Sequence, residues 1–447
     1  MRLPPWAAQA IRNGVADVAR KASDPETIKK VRQQATELLR DLPDNASRSF
    51  DNASKSIDAI VKTASDTARD AFDQGRATIL RWSEREHDIA SVCYNASGTL
   101  LHRYGSGVPV SDRVLQLGAD LLRGDCLNEN ADRQIADSLT RQLDLHHHRL
   151  LVATNLDAAV RSIASLIDRS DQSPREIIIH RAHAVRLPSG IPLPDLFDGH
   201  DVKQCGGVDS VVPEDFRCND HSIIVIADDG KQPLEPIEFP GSSPIRIAVL
   251  PTATIDSQFD NVPSVKTLLK SGFDVVITAG GTLTGGPSAG LIAGKTSLLE
   301  SIESSVLWNF AAAHRSIAAM TLASMTNPSG PLQVLMETGE ENLRSRSERM
   351  ATRLTASEEI ATCQIGNAPA VLVDGKRWSL PSRQLRLRHV NKSSETWAAE
   401  LLDASPALIT SVDGEDLLVD LRWIPASSDS VVTEIIAPPS SSSTTLP

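Results

Sequence analysis

The chain has 447 residues, a formal net charge of −12 and an isoelectric point of about 5.4. This length predicts two or three domains, and the ordinary apolar content is typical of a globular protein. The acidic balance excludes a general electrostatic attraction to nucleic acid. Because no apolar run is long enough for a signal peptide or a membrane span, we expect a cytoplasmic protein.

Cysteine and histidine give no sign of a metal site. The five cysteines are scattered and form no C-x-x-C pair, which argues against a disulfide scaffold and a structural zinc site. His146, His147 and His148 are consecutive, so their side chains point in different directions and at most two could share an ion. We therefore predict no metal, and we interpret Cys205 and Cys218 as structural.

Residues 1–92 are predicted to form a helical N-terminal arm. They are rich in alanine and polar residues and poor in glycine, and apolar residues such as Ile28, Val31 and Leu38 recur near helical spacing. Acidic and basic residues nearly balance, which favours a solvated arm or a subunit contact.

From about Cys93 onward, short apolar strands alternate with helices such as Leu156–Asp168 and Val265–Ser271. This alternation predicts a mixed, mostly parallel sheet covered on both faces, in a large α/β domain of residues 93–335. The candidate strands are Leu150–Val152, Glu176–Ile179, Ser222–Ile226, Ile245–Leu250, Asp274–Ile277 and Gly290–Ala293.

Residues 336–436 are predicted to form a smaller α+β domain. A charged helix over Glu340–Leu354 is followed by two hairpin-like runs, Ala368–Asp374 and Leu408–Leu421. Residues 437–447 are rich in serine and proline, and we expect this tail to be disordered.

The glycine-rich loop Ala279–Gly290 resembles the cofactor-lysine loop of bacterial selenocysteine synthase, L-seryl-tRNA(Sec) selenium transferase. That family reads roughly Ser-Gly-Asp-Lys-Leu-Leu-Gly-Gly-Pro-Gln-Ala-Gly, and this chain keeps the Gly-Gly-Pro-x-Ala-Gly frame. Tyr94–His102, Leu151–Val160 and Leu417–Arg422 are similar to other family segments in the same order. The resemblance implies an aspartate-aminotransferase-like fold, pyridoxal phosphate (PLP) fold type I, and a homodimer or higher oligomer.

The residues that the resemblance assigns to PLP chemistry are replaced. Thr282 stands at the position of the Schiff-base lysine, and a hydroxyl cannot form an imine. The family's aspartate motif falls on Val249–Thr254, which contains no carboxylate, and an arginine is lost at Gly105–Gly107. The charged run of the family's interface helix falls on Ala311–His314. PLP is therefore implied by family resemblance only.

A vestigial cofactor pocket is predicted around Thr154, Asn155, His183, Gly285 and Gly286. Thr154 and Asn155 lie where a strand gives way to a helix and could hold an anion, although Asn155 as a simple helix cap is the alternative. His183 could stack on a bound ring or be an ordinary core or surface histidine.

Two features of Ala289–Thr296 invite other interpretations. The segment formally fits a loose phosphate-loop pattern, but Leu291–Ala293 has the character of a strand rather than a flexible loop. Lys295 is the first lysine after Thr282 and is considered as a substitute Schiff base, although it follows a strand end rather than lying in the glycine loop.

Three functional hypotheses follow. The first is a non-catalytic relative of selenocysteine synthase, retained as a binding or assembly protein. The second is an active PLP-dependent transferase that uses another lysine. The third is a non-PLP enzyme that binds a small phosphorylated ligand in the old pocket. A paralogue is a further candidate partner, and in the family the N-terminal domain grips tRNA, which the charge balance of residues 1–92 does not favour.

Overall fold

Runs of branched apolar residues form the strands of the computed structural model, which describes residues 91–123, 131–167, 176–239, 241–256, 259, 262–326 and 330–438. The strands are β1 (Cys93–Asn95), β2 (His148–Ala153), β3 (Glu176–His180), β4 (Val202–Cys205), β5 (Ser222–Ala227), β6 (Ile245–Leu250), β7 (Val275–Gly280), β8 (Ala289–Lys295), β9 (Ile360–Gly366), β10 (Ala370–Val371), β11 (Ser379–Leu380), β12 (Gln384–His389), β13 (Ala407–Ile409), β14 (Ser411–Asp413) and β15 (Asp416–Asp420).

Seven of these strands make one mixed sheet in the order β2-β8-β7-β6-β5-β3-β4. Every neighbouring pair is parallel except those of β8, which runs antiparallel to both β2 and β7. The carboxyl ends of β2, β3, β5, β6 and β7 therefore meet at one edge of the sheet. The aspartate-aminotransferase-like α/β fold expected from the sequence is confirmed.

Helices cover both faces of this sheet, so its central strands are buried. In β5, for example, all six residues are buried. The helices of the described residues are α1 (Asp112–Leu122), α2 (Ala131–Leu143), α3 (Leu156–Arg161), α4 (Val265–Lys270), α5 (Thr296–Glu303), α6 (Val306–Ala311), α7 (Arg315–Met325), α8 (Pro331–Met336), α9 (Glu340–Leu354), α10 (Ser394–Leu402) and α11 (Asp429–Ile436). Helices α3, α5 and α6 contribute to the core on one face, whereas α2, α4 and α7 pack into the core on the other.

The C-terminal part is built on a four-stranded antiparallel sheet in the order β14-β15-β12-β9. Helices α9, α10 and α11 contribute with it to one further hydrophobic core. The segment that begins the described residues joins this part, because β1 pairs in parallel with β13, with Tyr94 opposite Leu408. The described residues from 92 onward form one compact unit.

The six predicted strands of the large sheet are confirmed, as are helix Glu340–Leu354 and, as α4, helix Val265–Ser271. Helix Leu156–Asp168 is shorter than predicted, because α3 ends at Arg161 and continues as a 3-10 turn over Ser162–Leu166. Strands β1, β4, β9, β11 and β12 were missed. The run Ala368–Asp374 contributes only β10, whose partner is β11.

The predicted arm, up to residue 90, and the end of the predicted tail, from residue 439, lie outside the described residues. The domain limits at 92, 335 and 436 stay a prediction. Within the described ranges, no helix is both long and apolar enough to cross a membrane.

Candidate functional site

The carboxyl edge of the large sheet brings together residues that follow different strands. Thr154 follows β2, Asp228 follows β5, Thr252 lies just beyond β6 and Thr282 just beyond β7. In open α/β sheets, ligands bind in the crevice outside the carboxyl ends of the strands. This edge is therefore the place to look for a site.

A cavity of about 910 Å³ opens at this edge. Thr282 lines it, at the start of a 3-10 turn (Thr282–Thr284) after β7, and Pro251 and Thr252 line it at the end of β6. Leu187 and Trp378, both buried, add apolar wall. The cavity thus includes the two strand ends to which the family resemblance assigned the lysine and the aspartate.

The carboxylate at this edge is Asp228, and it is already paired. Arg377 donates to both of its oxygens, with Nη1 3.1 Å from Oδ1 and Nη2 3.0 Å from Oδ2. The Asp228 side chain is only 1% exposed, so the pair is shielded from water. Lys376, which precedes Arg377, donates an Nζ hydrogen to the Asp229 carbonyl oxygen. The turn after β5 is therefore clamped by the segment around Lys376 and Arg377.

Most charged side chains lining the cavity are basic, which sequence reasoning did not single out. Five cations reach it, against two carboxylates, and one of the carboxylates is held by Arg377. The cations are Arg103, Arg181, Arg186, Lys231 and Lys376. Arg181 and Lys231 closely follow predicted strands, which is the signal that could have found them.

His183 lies beside the cavity in the turn after β3. Its Nδ1 donates to the Ala227 carbonyl oxygen at 2.8 Å, which fixes that nitrogen as the one carrying hydrogen. Burial lowers the pKa of His183 below its ordinary value of 6.5, and nearby His180 lowers it further. Its neighbours Ala182 and Ala184 line the cavity. A stacking role for His183 stays a prediction.

Asn155 caps a helix. Its Oδ1 accepts a hydrogen bond from the Ala158 backbone N–H at 2.8 Å, at the start of α3. The backbone of Gly290 approaches Asn155 so closely that a Cβ at Gly290 would lie 2.1 Å from the Asn155 carbonyl oxygen. The Asn155 side chain is thus occupied by capping, and an anion-binding role for Thr154 and Asn155 stays a prediction.

Gly285 and Gly286 border a different space. Gly285 has φ of +67°, a conformation that favours glycine, and lines a cavity of about 60 Å³ together with Ser111 and Ser324. A Cβ at Gly286 would lie 2.8 Å from the Ser324 hydroxyl. The structure therefore separates these glycines, which shape the loop, from Thr282, which faces the large cavity.

Lys295 does not lie at this edge. It ends β8, and its Nζ is 2.5 Å from Oδ1 of Asp274, the residue before β7. Six residues of β7 separate Asp274 from the turn that holds Thr282, a span of about 20 Å. Lys295 therefore lies too far from Thr282 to replace the lost lysine. The phosphate-loop pattern is also refuted, because Ala289–Lys295 is strand β8.

Cys205 has the character of a structural thiol. Burial raises its pKa, and the charge of Asp215 raises it further, so the reactive thiolate is disfavoured. Within the described ranges, no group of three or more histidine, cysteine and carboxylate residues is arranged to hold a metal ion.

The residues at the strand ends do not fit PLP as a covalently held cofactor. Thr282 offers no amine, and Pro251 and Thr252 offer no carboxylate to a pyridinium nitrogen. Two lysines, Lys231 and Lys376, do line the cavity. Neither lies in the glycine loop where the family carries its lysine.

Comparison with known proteins shows which family a part of this chain resembles. Residues 255–425 match the family model described as L-seryl-tRNA selenium transferase. The L-seryl-tRNA(Sec) selenium transferase of Desulfotalea psychrophila is 29% identical over 184 residues, which cover 37% of this chain and 38% of that protein. The enzyme of the same name from Hyphomonas neptunium is 30% identical over 175 residues, 36% of this chain and 37% of that protein. The chain thus spans less than two fifths of the length of these curated relatives.

The likeness to solved structures extends further along the chain. D-glucosaminate-6-phosphate ammonia-lyase aligns with a TM-score of 0.56 over 79% of this chain and 96% of its own, at 12% identity. At this identity the likeness establishes the shared fold alone.

Proposed function

We propose that this chain, which resembles the L-seryl-tRNA selenium transferase family over residues 255–425, is a non-catalytic relative that binds a small ligand in the large cavity. The observation that carries the proposal is the placement of Thr282. It lines the cavity at the end of β7, and its hydroxyl cannot form the imine on which PLP chemistry depends. Pro251 and Thr252, at the end of β6, support the same conclusion.

The proposal includes a cytoplasmic homodimer or higher oligomer, since enzymes of this fold build their sites across a subunit interface. A paralogue remains a candidate partner. It does not include tRNA binding, because the chain is acidic and phosphate contacts rely on net cationic surfaces.

An active PLP-dependent transferase is the second candidate, and one observation favours it. Lys231 and Lys376 both line the cavity and could in principle react with an aldehyde. Lys376 already donates to the Asp229 carbonyl oxygen, whereas Lys231 is exposed. The third hypothesis, a non-PLP enzyme, shares with the first a non-covalent ligand in this cavity.

Reduction of the PLP-treated protein with borohydride separates these candidates. The purified protein is mixed with PLP, its visible spectrum is recorded, and labelled peptides are mapped after reduction. We expect no stoichiometric aldimine band in the wild type. Thr282→Lys serves as the matched control, because it restores an amine at the family position and should gain one labelled site if the cavity still accepts PLP.

Stoichiometric labelling of wild-type Lys231 or Lys376 would overturn the proposal and support the transferase. Substitution of that lysine by arginine would then have to abolish the band. If Thr282→Lys also stays unlabelled, the cavity excludes PLP altogether, and the non-covalent ligand is a different compound.

A further inference from the structure

The basic side chains of the large cavity come from four separated parts of the chain. They lie in the turn after β1, in the turn after β3, in the turn after β5 and in the segment between β10 and β11. Convergence of five cations on one cavity stands out in a chain whose net charge is −12. The charge of the cavity lining is therefore opposite in sign to the net charge of the protein.

Carbonyl oxygens, which are neutral, orient the side chains of Arg181 and Arg186. Arg181 donates from Nη1 to the Gly206 carbonyl oxygen at 2.6 Å, and Arg186 donates from Nη1 to the Gly190 carbonyl oxygen at 2.8 Å. Such contacts hold a guanidinium in place without cancelling its charge. Each guanidinium has five N–H hydrogens, so most of its donors remain available to a ligand.

The carboxylates near the cavity do not balance this charge. Asp228 is held by the bidentate contact of Arg377, a guanidinium additional to the five. Asp229 is the other carboxylate of the lining, and its Oδ1 accepts a hydrogen bond from the Lys231 backbone N–H. Several positive charges therefore remain to be matched by whatever occupies the cavity.

We infer that the cavity binds a ligand through a phosphoryl group, held chiefly by Arg181 and Arg186 with Lys231 and Arg103 around it. A dianion matches the excess of positive charge, and the planar guanidinium fork fits the tetrahedral oxygens of a phosphoryl group in a bidentate manner. This inference rests on the proposed function for the absence of a covalent bond and adds the ligand class. It uses residues other than the predicted Thr154 and Asn155 pocket.

Titration calorimetry of the full chain with inorganic phosphate tests the inference. At low ionic strength, where exposed charges are weakly screened, we expect one saturable site per chain that weakens as salt is added. The double variant Arg181→Gln with Arg186→Gln should lose at least tenfold in affinity. Both residues are exposed, so the fold should persist, which a thermal unfolding midpoint close to wild type would verify.

Arg388→Gln is the matched control. Arg388 is an exposed arginine of the C-terminal sheet and is paired with Glu415 and Asp416, so its loss should leave phosphate affinity unchanged. Lys231→Gln, a second cavity variant, should weaken binding severalfold. Absence of a saturable site in the wild type, or equal weakening by the cavity variants and Arg388→Gln, would overturn the inference.

Succinate distinguishes a phosphoryl site from a general dianion site. We expect phosphate to bind at least tenfold more tightly than succinate, and equal affinities would overturn the assignment of the ligand class. The outcome is separate from that of borohydride reduction. A labelled lysine with intact phosphate binding would refute only the non-catalytic proposal, whereas no label and no phosphate binding would refute only the ligand class.

Discussion

Two groups of arginines in this protein differ in what surrounds them. On the C-terminal sheet, Arg386 contacts Asp413 and Asp416, and Arg388 contacts Glu415 and Asp416. Hydrogen bonds to these carboxylates hold the pKa of both arginines above the ordinary value, and the bond from Arg388 holds the pKa of Asp416 below its own. Arg181 and Arg186, at the cavity, contact carbonyl oxygens instead.

The contrast separates charges that are balanced within the protein from charges that await a partner. Exposed ion pairs such as those of Arg386 and Arg388 contribute little to stability and are screened by salt. Cations held by neutral acceptors around a cavity gain a counter-charge only from a ligand. Arginine side chains therefore form ion pairs within the protein on the C-terminal sheet, whereas those at the cavity are available to bind a ligand.

The largest effect on stability is expected at the pair of Asp228 and Arg377, which is an ion pair, as on the C-terminal sheet, but is buried beside the cavity. Arg377→Ala should lower the free energy of unfolding by about 3–5 kcal/mol, because it leaves a carboxylate with 1% exposure uncompensated. Urea unfolding measures this change. Arg388→Ala is the control and should have a far smaller effect, so equal losses in the two variants would mean that Asp228 is not shielded as the structure indicates.

The sequence predicted the parts of the fold that depend on local apolar pattern. Strand β5 is apolar after its first residue, Ser222, and was recognised, whereas β4 was missed because its exposed central residues, Lys203 and Gln204, give it no apolar run. An edge strand is recognised by its hydrogen-bonding neighbour, here β3, which the sequence alone does not reveal.

The candidate site, like the fold, has residues that the sequence reveals and residues that it does not. Thr282 could be found because the glycine loop around it is continuous in sequence. Arg181 and Lys231 could have been found because they follow predicted strands, whereas Arg103 and Lys376 lie far from them in the chain and join them only after the sheet and the C-terminal part have formed. Lys295 shows the converse, because it is the first lysine after Thr282 in sequence and yet lies at the opposite edge of the sheet.

A moderate, pH-dependent effect is expected at His183, which lies beside the cavity. Burial lowers its pKa in the folded chain below 6.5, so the unfolded chain takes up the proton first as pH falls. Its contribution to stability is complete above pH 6.5 and is lost as pH falls from 6.5 toward the lowered folded pKa. His183→Asn, which keeps a donor toward the Ala227 carbonyl, should reduce the slope of unfolding free energy against pH in this window.

Urea unfolding between pH 5 and 8 measures that slope for the wild type and His183→Asn. The exposed His146, changed to asparagine, is the control and should leave the slope unchanged. If His183→Asn keeps the wild-type slope, His183 is not buried as a neutral ring, and the turn after β3 has a different environment from the one described.

The smallest effect on stability is expected for Asp416→Asn, which removes the shared partner of Arg386 and Arg388. The unfolding midpoint should fall slightly at low salt, and the difference from wild type should shrink at high salt because the side chains of Arg386 and Arg388 are 32% and 47% exposed and are reached by salt. Phosphate titration should show no additional site. Each arginine would keep its other carboxylate, Asp413 for Arg386 and Glu415 for Arg388, so little positive charge would be left for a ligand to match. If Asp416→Asn bound a second equivalent of phosphate, arginines outside the cavity would bind phosphate as well. The assignment of phosphate binding to the large cavity would then be contradicted.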